Sequence, residues 1–324
     1  MFLSQQADKL HQMMKDGQMQ KAKDFIKSHP NSRELCDLEC SRDGTALHVA
    51  AKVGSIEMAK VIVDVGVKVN SKVTEGHVIA GFTPLHSSVK AGHLQMTEFL
   101  IDQGADINFQ DQDGRTPLML ACVYNKPDIA RVLVDWSADV NLKDSKGQTP
   151  LLISILRSDF EITQLLVLNE ADVLQQDPNG QSPLHYASEW GKVDVVDLLL
   201  SRGAEVNAQD EENQTALHLA DDDVIYNLLL EHGADENIRD KRGKRSKDEK
   251  LDMGKQEFQN INKALGAHVD KTNKRDPTQH VHDKITRVFS PGPPIPEAEL
   301  KNAKTNMLKE LQRKVPPSTK TATS

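Results

Sequence analysis

The sequence contains little of what stabilises secreted or membrane proteins. Its three cysteines cannot form a disulfide framework, and Cys36 and Cys40 lack the second pair that a zinc site needs. No run approaches the 18 or so apolar residues of a membrane span, and Met1-Phe2-Leu3 leads straight into polar residues instead of a signal-peptide core. We therefore expect reduced, structural cysteines in a protein of the cytoplasm, the nucleus or both, with no membrane partner.

Motifs for enzymatic chemistry are also missing. The sequence has no dinucleotide-binding glycine motif, no P-loop, no HExxH zinc motif and no nucleophile elbow. The acidic triplet Asp221 to Asp223 has oxygens that suit Ca²⁺ or Mg²⁺, but consecutive carboxylates on a short turn diverge. We predict no catalytic residue, no cofactor, no metal site and no small-molecule substrate.

What the sequence does contain is one pattern that recurs every 33 residues. In its clearest copy, residues 177–207, Ser182 can cap a helix and Pro183 occupies the first helical position. Two short apolar helical faces follow, separated by Gly191, and Gly203 ends the second one. A helical hairpin of this size cannot bury both apolar faces alone, so it needs copies of itself stacked on either side.

The copies are present in strict register. Their helix caps start stretches that resemble TPLH, and the units close with stretches that resemble GADVN. The caps are Thr45 and, 38 residues later, Thr83, followed at intervals of 33 residues by Thr116, Thr149, Ser182 and Thr215. In this period and these two motifs the sequence resembles the ankyrin repeat family. The resemblance implies an all-α ankyrin repeat solenoid of stacked helix-turn-helix units with hairpin loops.

Departures from the repeat divide the chain into four predicted regions. They are a degenerate N-terminal capping repeat at 1–42, six ankyrin repeats at 43–238, a degenerate C-terminal capping repeat at 239–270, and a disordered basic tail at 271–324. Within the six repeats there is an insertion at 71–80, and the sixth repeat is shortened. Apolar residues in the segment 297–314 share a face and favour a short helix, either a transient one or one that folds on a partner.

Two kinds of polar residue recur with the repeats. His48, His86, His185 and His218 occupy one register. Neighbouring helices pack about 8–10 Å apart, whereas a zinc ion lies about 2.0–2.1 Å from each nitrogen, so these residues are poorly placed to share a metal. The family resemblance implies that each histidine bonds between neighbouring loops. Asn108, Asn141 and Asn207 have the spacing of asparagines that are hydroxylated in some ankyrin proteins, and we expect them to brace the hairpins.

Charge is unevenly split along the chain. The chain has 40 Lys and Arg residues and 48 Asp and Glu residues. Residues 239–324 contain 20 of the basic and 11 of the acidic residues, so their net charge is +9. Residues 1–238 contain the other 20 basic and 37 acidic residues, so their net charge is −17. An acidic array favours a protein partner with a basic surface and disfavours direct binding of nucleic acid. One run of basic residues is interpreted either as a nuclear localisation signal or as a solvated hairpin tip. It consists of Arg239, Lys241, Arg242, Lys244, Arg245 and Lys247.

Candidate binding residues occupy positions that the fold leaves free to vary. We name as the variable strip the last two positions before each inter-helix turn, and we add the residues that precede two of the caps, Phe82 and Arg115. The variable strip consists of Val123, Tyr124, Leu156, Arg157, Glu189, Trp190, Asp222 and Asp223. Tyr, Arg and Trp dominate interface hot spots. The strip is therefore predicted to bind a partner; the alternative is that its residues pack against long hairpin loops.

These features predict a non-enzymatic adaptor or regulator that binds a partner protein through the concave face of repeats two to five. Tyr124, Arg157 and Trp190 are the central residues of this prediction. Two more specific roles stay open, a proteasome-assembly-type chaperone and an inhibitor that masks a basic nuclear or transcription-factor surface. Both roles would use the acidic charge of the array.

Overall fold

The computed structural model describes residues 2–39, 43–74 and 79–248, all within the unit Met1–Gln256. Its regular elements there are α-helices, and none of them is long and apolar enough to cross a membrane. They are α1 (Phe2–Lys15), α2 (Met19–Ser28), α3 (Ser32–Asp37), α4 (Ala46–Val53), α5 (Ile56–Asp64), α6 (Pro84–Ala91), α7 (Leu94–Asp102), α8 (Pro117–Val123), α9 (Pro127–Asp135), α10 (Pro150–Leu156), α11 (Phe160–Leu168), α12 (Pro183–Glu189), α13 (Val193–Ser201), α14 (Ala216–Leu219) and α15 (Asp223–Glu231). The predicted tail, with its short helix at 297–314, and most of the C-terminal capping repeat lie outside the described residues.

Each cap found in the sequence starts a pair of helices, which confirms the predicted all-α architecture. The pairs, repeats one to six, are α4–α5, α6–α7, α8–α9, α10–α11, α12–α13 and α14–α15. First helices pack on first helices and second helices on second helices, and one apolar core runs through the whole stack. Since each repeat buries its apolar faces against its neighbours, most of the stability lies in the junctions between repeats.

The first helix of a repeat starts with a hydrogen-bonded cap. In repeat two, Thr83 and His86 form a reciprocal capping box, and the Thr83 N–H donates to Nδ1 of His86 at 3.2 Å. Pro84 occupies the first helical position, where a missing N–H leaves no donor unsatisfied. The same box recurs at Thr45, Thr116, Ser182 and Thr215. Donors at the helix start that would otherwise be unpaired are thus satisfied within the repeat.

The other ring nitrogen of each capping histidine joins one repeat to the next. Nε2 of His48 donates to the carbonyl of Phe82 at 2.9 Å, and Nε2 of His86 donates to that of Arg115 at 3.1 Å. His185 and His218 bond to Gln214 and Lys244 in the same way. Because Nδ1 accepts and Nε2 donates, the rings are neutral. The linking role implied by the family resemblance is confirmed.

The periodic asparagines form a second set of links between repeats. Nδ2 of Asn141 donates to the Glu170 carbonyl at 3.1 Å, and Oδ1 accepts the Asp172 N–H at 2.8 Å. Asn70 and Asn207 make the same two bonds, and Asn108 makes the second of them. The predicted bracing of the hairpins is therefore confirmed.

Repeats three and four end without the closing glycine of the other repeats. Ser137 and Glu170 occupy its place, and each is held at φ 64° in the left-handed region that favours glycine. Asn125 and Ser158, in the inter-helix turns of the same repeats, also have positive φ, at 49° and 60°. For serine and glutamate this conformation costs about 1 kcal/mol or more, whereas asparagine adopts it more readily. Repeats three and four, which contain the turns that follow Tyr124 and Arg157, are thus locally strained.

The sixth repeat has a shorter first helix than its neighbours. Helix α14 has four residues, whereas α12 has seven. The chain turns through the acidic triplet, and Asp222 caps α15 by accepting the Val224 N–H at 2.7 Å. In the described part of the chain, no group of three or more His, Cys, Asp and Glu is arranged to hold a metal ion.

The N-terminal unit packs α1, α2 and α3 against repeat one and buries a histidine without hydrogen bonds. His11 lies one residue after the buried Leu10, is 1% exposed, and has no partner at either ring nitrogen. Burial lowers its pKa to about 4, with a smaller contribution from Lys15. Water solvates this ring in the unfolded chain, so its burial costs about 1–3 kcal/mol of stability.

Replacing His11 with leucine is expected to stabilise the protein by about 1 kcal/mol, because an apolar side chain of similar size removes an unsatisfied polar group. The free energy of unfolding in urea near neutral pH measures the effect. His11→Gln is the matched control, since it keeps a buried polar group and is expected to destabilise. A leucine variant that unfolds at a lower urea concentration than the wild type would contradict this expectation.

Candidate protein-binding surface

Tyr124, Arg157 and Trp190 lie at equivalent places in repeats three, four and five. Each is the residue directly after the last residue of a first helix, α8, α10 and α12 respectively. All three are exposed, Tyr124 by 38% and Trp190 by 54% of the residue surface. Exposed aromatic residues in one row are a feature of interaction surfaces, because burying them against a partner gains more than leaving them in water.

A cleft of about 410 Å³ lies between the first helices and the hairpin loops of repeats three and four. We call it the central cleft. Its lining consists of Asp113, Arg115, Val123, Asp144, Ser145, Lys146, Gln148, Ile153, Leu156 and Arg157. Ile153 is buried and Val123 and Leu156 are partly buried, so the cleft has an apolar floor. The structure therefore brings four of the predicted residues together around one depression.

The hairpin residues of this cleft were not identified from the sequence. Asp144 and Lys146 lie near the tip of the hairpin that precedes Thr149, and stacking places them opposite Leu156 and Arg157. A signal was available in the register of Lys146. The equivalent positions in neighbouring repeats are Asp113, Asn179 and Glu212, so a lysine is unusual there.

Arg115 is engaged within its own hairpin. Its guanidinium contacts Asp111 Oδ2 at 2.9 Å and Asp113 Oδ2 at 2.7 Å, and its carbonyl accepts the His86 Nε2–H. The Asp111 side chain is 1% exposed, so the first of these ion pairs is largely shielded from water. Arg115 therefore lines the cleft with a charge that is already balanced.

Phe82 lies in the core, contrary to the expectation that it would meet a partner. It is 3% exposed, and its ring centroid is 5.3 Å from that of His86. Its backbone is also engaged, since the Val73 N–H donates to the Phe82 carbonyl at 2.9 Å. Phe82 thus offers no surface to a partner, and we leave it out of the proposed site.

Lys90 positions the first aromatic residue of the variable strip. Its ammonium lies 5.5 Å from the centroid of the Phe82 ring and 5.8 Å from that of Tyr124. Both distances are within the range of cation–π attraction. The lysine therefore links repeat two to the exposed ring of repeat three, which limits the rotamers that Tyr124 adopts before binding.

The C-terminal end of the variable strip is acidic. Asp222 and Asp223 lie at the start of α15 and not, as predicted, before the inter-helix turn, because α14 is shorter than the other first helices. Glu189, Asp222 and Asp223 are exposed. Beneath them in repeat five, the Tyr186 hydroxyl donates to Asp177 Oδ2 at 2.8 Å, and burial together with this carboxylate raises the pKa of Tyr186. The tyrosine therefore stays a neutral donor that fixes the hairpin beside Glu189.

The basic run folds as the hairpin tip after repeat six. The Asp240 N–H donates to the Lys244 carbonyl at 2.9 Å, and this carbonyl also accepts the His218 Nε2–H. The Arg242 side chain pairs with Asp240 at 2.7 Å, and that of Arg245 pairs with Asp248 at 2.9 Å. These contacts favour the hairpin-tip interpretation, and the nuclear localisation signal stays a prediction.

Comparison with known proteins agrees with this geometry. A family model of ankyrin repeats, three copies long, matches residues 10–111, 72–144, 98–177, 137–210 and 156–240. Among solved structures, the ankyrin repeat domain of Bcl-3, described as a unique member of the IkappaB protein family, is 28% identical with a TM-score of 0.57. The match covers 64% of this chain and 93% of that one.

A second solved structure, the ankyrin repeat domain of human ASB11, is 27% identical with a TM-score of 0.55. The match covers 63% of this chain and 91% of that one. No curated protein sequence matches significantly. The family model spans most of the chain, and the caps, the histidine links and the paired helices all follow its pattern. The chain therefore belongs to the ankyrin repeat family.

Proposed function

We propose that this protein is a non-enzymatic adaptor or regulator that binds a partner protein through the first helices and hairpin loops of repeats two to five. Ankyrin repeat domains generally mediate interactions between proteins, and the two structural relatives are domains of this kind. One observation carries the assignment to this surface. Tyr124, Arg157 and Trp190 stand exposed in a single row, beside a cleft with an apolar floor.

The chemistry of the row fits a small number of strong contacts. Only 4% of the residues of this chain are aromatic, so two exposed aromatic rings in one register are a substantial share of its aromatic residues. Truncation of a hot-spot Trp, Tyr or Arg typically costs about 2 kcal/mol of binding free energy or more. Val123 and Leu156 add partly buried apolar area between these residues.

The charge of the array favours a partner with a basic surface near repeats five and six. Glu189, Asp222 and Asp223 supply exposed negative charge at this end of the strip. Attraction between exposed charges decays over about 10 Å at 0.1 M salt, so the association rate should fall as salt is added. The net charge of −17 on residues 1–238 also disfavours nucleic acid as the direct ligand.

Two specific roles share this chemistry. The protein either masks a basic nuclear or transcription-factor surface, or caps a basic subunit during assembly of the proteasome. Nuclear accumulation that depends on the basic run would favour the first role. Co-purification with proteasome subunits would favour the second.

The triple variant Tyr124→Ala, Arg157→Ala, Trp190→Ala is expected to lose its partner, with affinity reduced at least about tenfold because hot-spot contacts are removed. Affinity purification combined with chemical cross-linking, beside the wild type, measures the loss. Circular dichroism establishes that the variant is folded, which we expect because two of the three residues are more than a third exposed.

The chain offers a matched control on the second helices. Phe160→Ala, Arg131→Ala, Trp136→Ala removes the same classes of side chain, and Phe160 and Trp136 are 40% and 50% exposed. This control is expected to keep the partner. A folded strip variant that keeps every strong partner, or a control that loses them, would show that the surface has been assigned to the wrong face.

A further inference from the structure

The central cleft carries positive charge in an otherwise acidic array. Lys146 stands in a register that holds Asp113 in repeat three, Asn179 in repeat five and Glu212 in repeat six. Arg157 stands in a register that holds Tyr124 and Trp190 in the adjacent repeats. Repeat four thus places a cation at each of these two positions beside the cleft, whereas the adjacent repeats place neutral or acidic residues there.

These two cations have no partner within the part of the chain that the structure describes. Neither the Arg157 guanidinium nor the Lys146 ammonium forms an ion pair or a hydrogen bond there, although Arg115 on the same cleft pairs with two carboxylates. Asp144 also lines the cleft, but it forms no ion pair with either cation, and its Oδ1 accepts the backbone N–H groups of Lys146 and Gln148 at 2.9 and 2.8 Å.

The floor between the two cations is apolar. Val123, Ile153 and Leu156 form it, and the exposed rings of Tyr124 and Trp190 lie one repeat to either side of Arg157. A volume of about 410 Å³ accommodates a few side chains and no folded element. A ligand that satisfies the cleft must therefore present a negative group and an apolar group side by side.

We propose that the central cleft binds an acidic side chain of the partner protein together with an adjacent apolar side chain. The carboxylate pairs with the planar guanidinium of Arg157, which suits two parallel N–H···O bonds, and Lys146 contributes attraction from the hairpin side. The apolar side chain rests on Val123, Ile153 and Leu156. A nucleic-acid strand is a poorer match, because its further phosphates meet the surrounding negative charge.

This inference rests on the proposed function and sharpens it. The partner then presents an acidic residue to repeats three and four and basic residues to repeats five and six. A contact surface that changes sign along its length fits the strip in one direction, because the reversed orientation places like charges opposite each other. The charge pattern therefore selects the orientation of the partner.

Selection of a random-peptide display library against the full chain tests the proposal. We expect enriched peptides in which Asp or Glu stands beside Leu, Phe or Trp. The affinity of one such synthetic peptide, measured by fluorescence anisotropy, is expected to fall about tenfold with Arg157→Glu or Lys146→Glu. Lys143→Glu is the matched control, since Lys143 is exposed on the same hairpin and does not line the cleft. Changing the peptide carboxylate to an amide is expected to remove the difference between Lys146→Glu and the control.

Several results would overturn the assignment: enrichment of basic peptides, absence of any enriched sequence, equal affinity with Lys146→Glu and Lys143→Glu, or displacement of the peptide by a short oligonucleotide. The same experiment distinguishes failure of the cleft assignment from failure of the proposed protein-binding function. Peptides that need Tyr124 or Trp190 and ignore Lys146→Glu would leave protein binding standing while the cleft assignment fails. Peptides that ignore every substitution in the strip would count against the proposed function itself.

Discussion

Acidification from neutral pH to about pH 5 is expected to destabilise the array, beginning at the repeats that contain buried capping histidines. Burial lowers the pKa of His11, His48 and His86 to about 4 from the ordinary 6.5, and it also lowers the pKa of His185. Between these values the unfolded chain binds protons that the folded chain excludes. The stabilisation is therefore complete above pH 6.5 and is lost as the pH falls toward 4.

The geometry explains why the folded state excludes these protons. In His48 and His86 the Nδ1 atom accepts a backbone N–H, so a proton there would face a donor. Each pKa unit corresponds to about 1.4 kcal/mol, and three groups shifted to about 4 represent several kcal/mol. A domain is typically stable by about 5–15 kcal/mol in total. The expected loss is thus a large part of the whole.

The loss should be uneven along the stack. Repeats three and four carry Met119 and Leu152 in the histidine register, and these side chains do not titrate. Because a repeat array gains stability from nearest-neighbour contacts, local titration lowers local stability first. Hydrogen exchange corrected for intrinsic rates is expected to show protection lost in repeats one and two at a higher pH than in repeats three and four.

Urea unfolding followed by circular dichroism at several pH values gives the slope of stability against pH. The control is the double variant His48→Leu, His86→Leu, which places in repeats one and two the residue that repeat four already has. It should be less stable than the wild type near neutral pH and lose less stability on acidification. Dilute protein is needed, since the isoelectric point is about 5.8. A slope that is the same in both proteins would show that other groups cause the acid sensitivity.

The parts of the fold that the sequence predicts are those with local causes. The start of each first helix follows from a cap, such as Thr83 or Ser182, and from a proline one residue later. These signals act within one turn of helix, so they can be read without knowing the neighbours. The apolar faces recur with the same period and predict which sides of the helices stack.

What the sequence could not show depends on contacts between repeats or on departures from periodicity. Val123 of repeat three and Leu156 of repeat four line one cleft only because neighbouring repeats stack. Phe82 belongs to a register that is partly exposed in repeats three to six, but it is itself buried, and Val73 before it donates a hydrogen bond to its carbonyl. Ser137 takes a glycine-like backbone conformation because the stack requires the turn there whatever the residue.

Three kinds of hydrogen-bonded link that join other repeats are missing at one junction, between repeats four and five. Leu152 replaces the linking histidine, and Leu174 replaces the linking asparagine. In two other hairpins, the backbone N–H of Ser145 and that of Glu211 donate to the preceding hairpin at 2.9 Å. The equivalent residue in repeat five is Pro178, which has no N–H. Across the residues described, one hydrogen bond crosses this junction, from Arg202 Nη1 to the Val167 carbonyl at 3.2 Å.

The helices at this junction also leave space between them. A cleft of about 360 Å³ lies between the inter-helix turns of repeats four and five and is lined by Phe160 and Lys192, among others. Asp159, also in its lining, has a buried Oδ2 atom with no hydrogen-bond partner. Weak coupling at one junction of a linear array allows the two sides to unfold separately. The junction falls between Arg157 and Trp190, so it also divides the proposed binding surface.

Restoring the missing links with Leu152→His and Leu174→Asn is therefore expected to stabilise the protein, by about 1 kcal/mol for the asparagine and by less for the histidine, because Leu152 is 1% exposed and its apolar contacts are given up. The histidine would reach the Gln181 carbonyl, and the asparagine would reach the end of repeat five near Gly203, by analogy with the links at the other junctions. Leu174 is 54% exposed, so its replacement sacrifices little buried apolar area. Urea unfolding near neutral pH measures the gain, and hydrogen exchange shows whether repeats five and six gain protection.

Leu168→Asn is the matched control for this prediction, because Leu168 is 53% exposed in the same repeat and lies outside the registers that link repeats. It makes the same change of side chain without restoring a link, so we expect no stabilisation and a small loss from helix propensity. If Leu174→Asn were no more stable than Leu168→Asn, the vacant register would not be what weakens the junction. The stability of repeats five and six would then have to be set by packing alone, because Leu174→Asn differs from its control in the hydrogen bonds to the next repeat and in the small helix-propensity loss that the control alone carries.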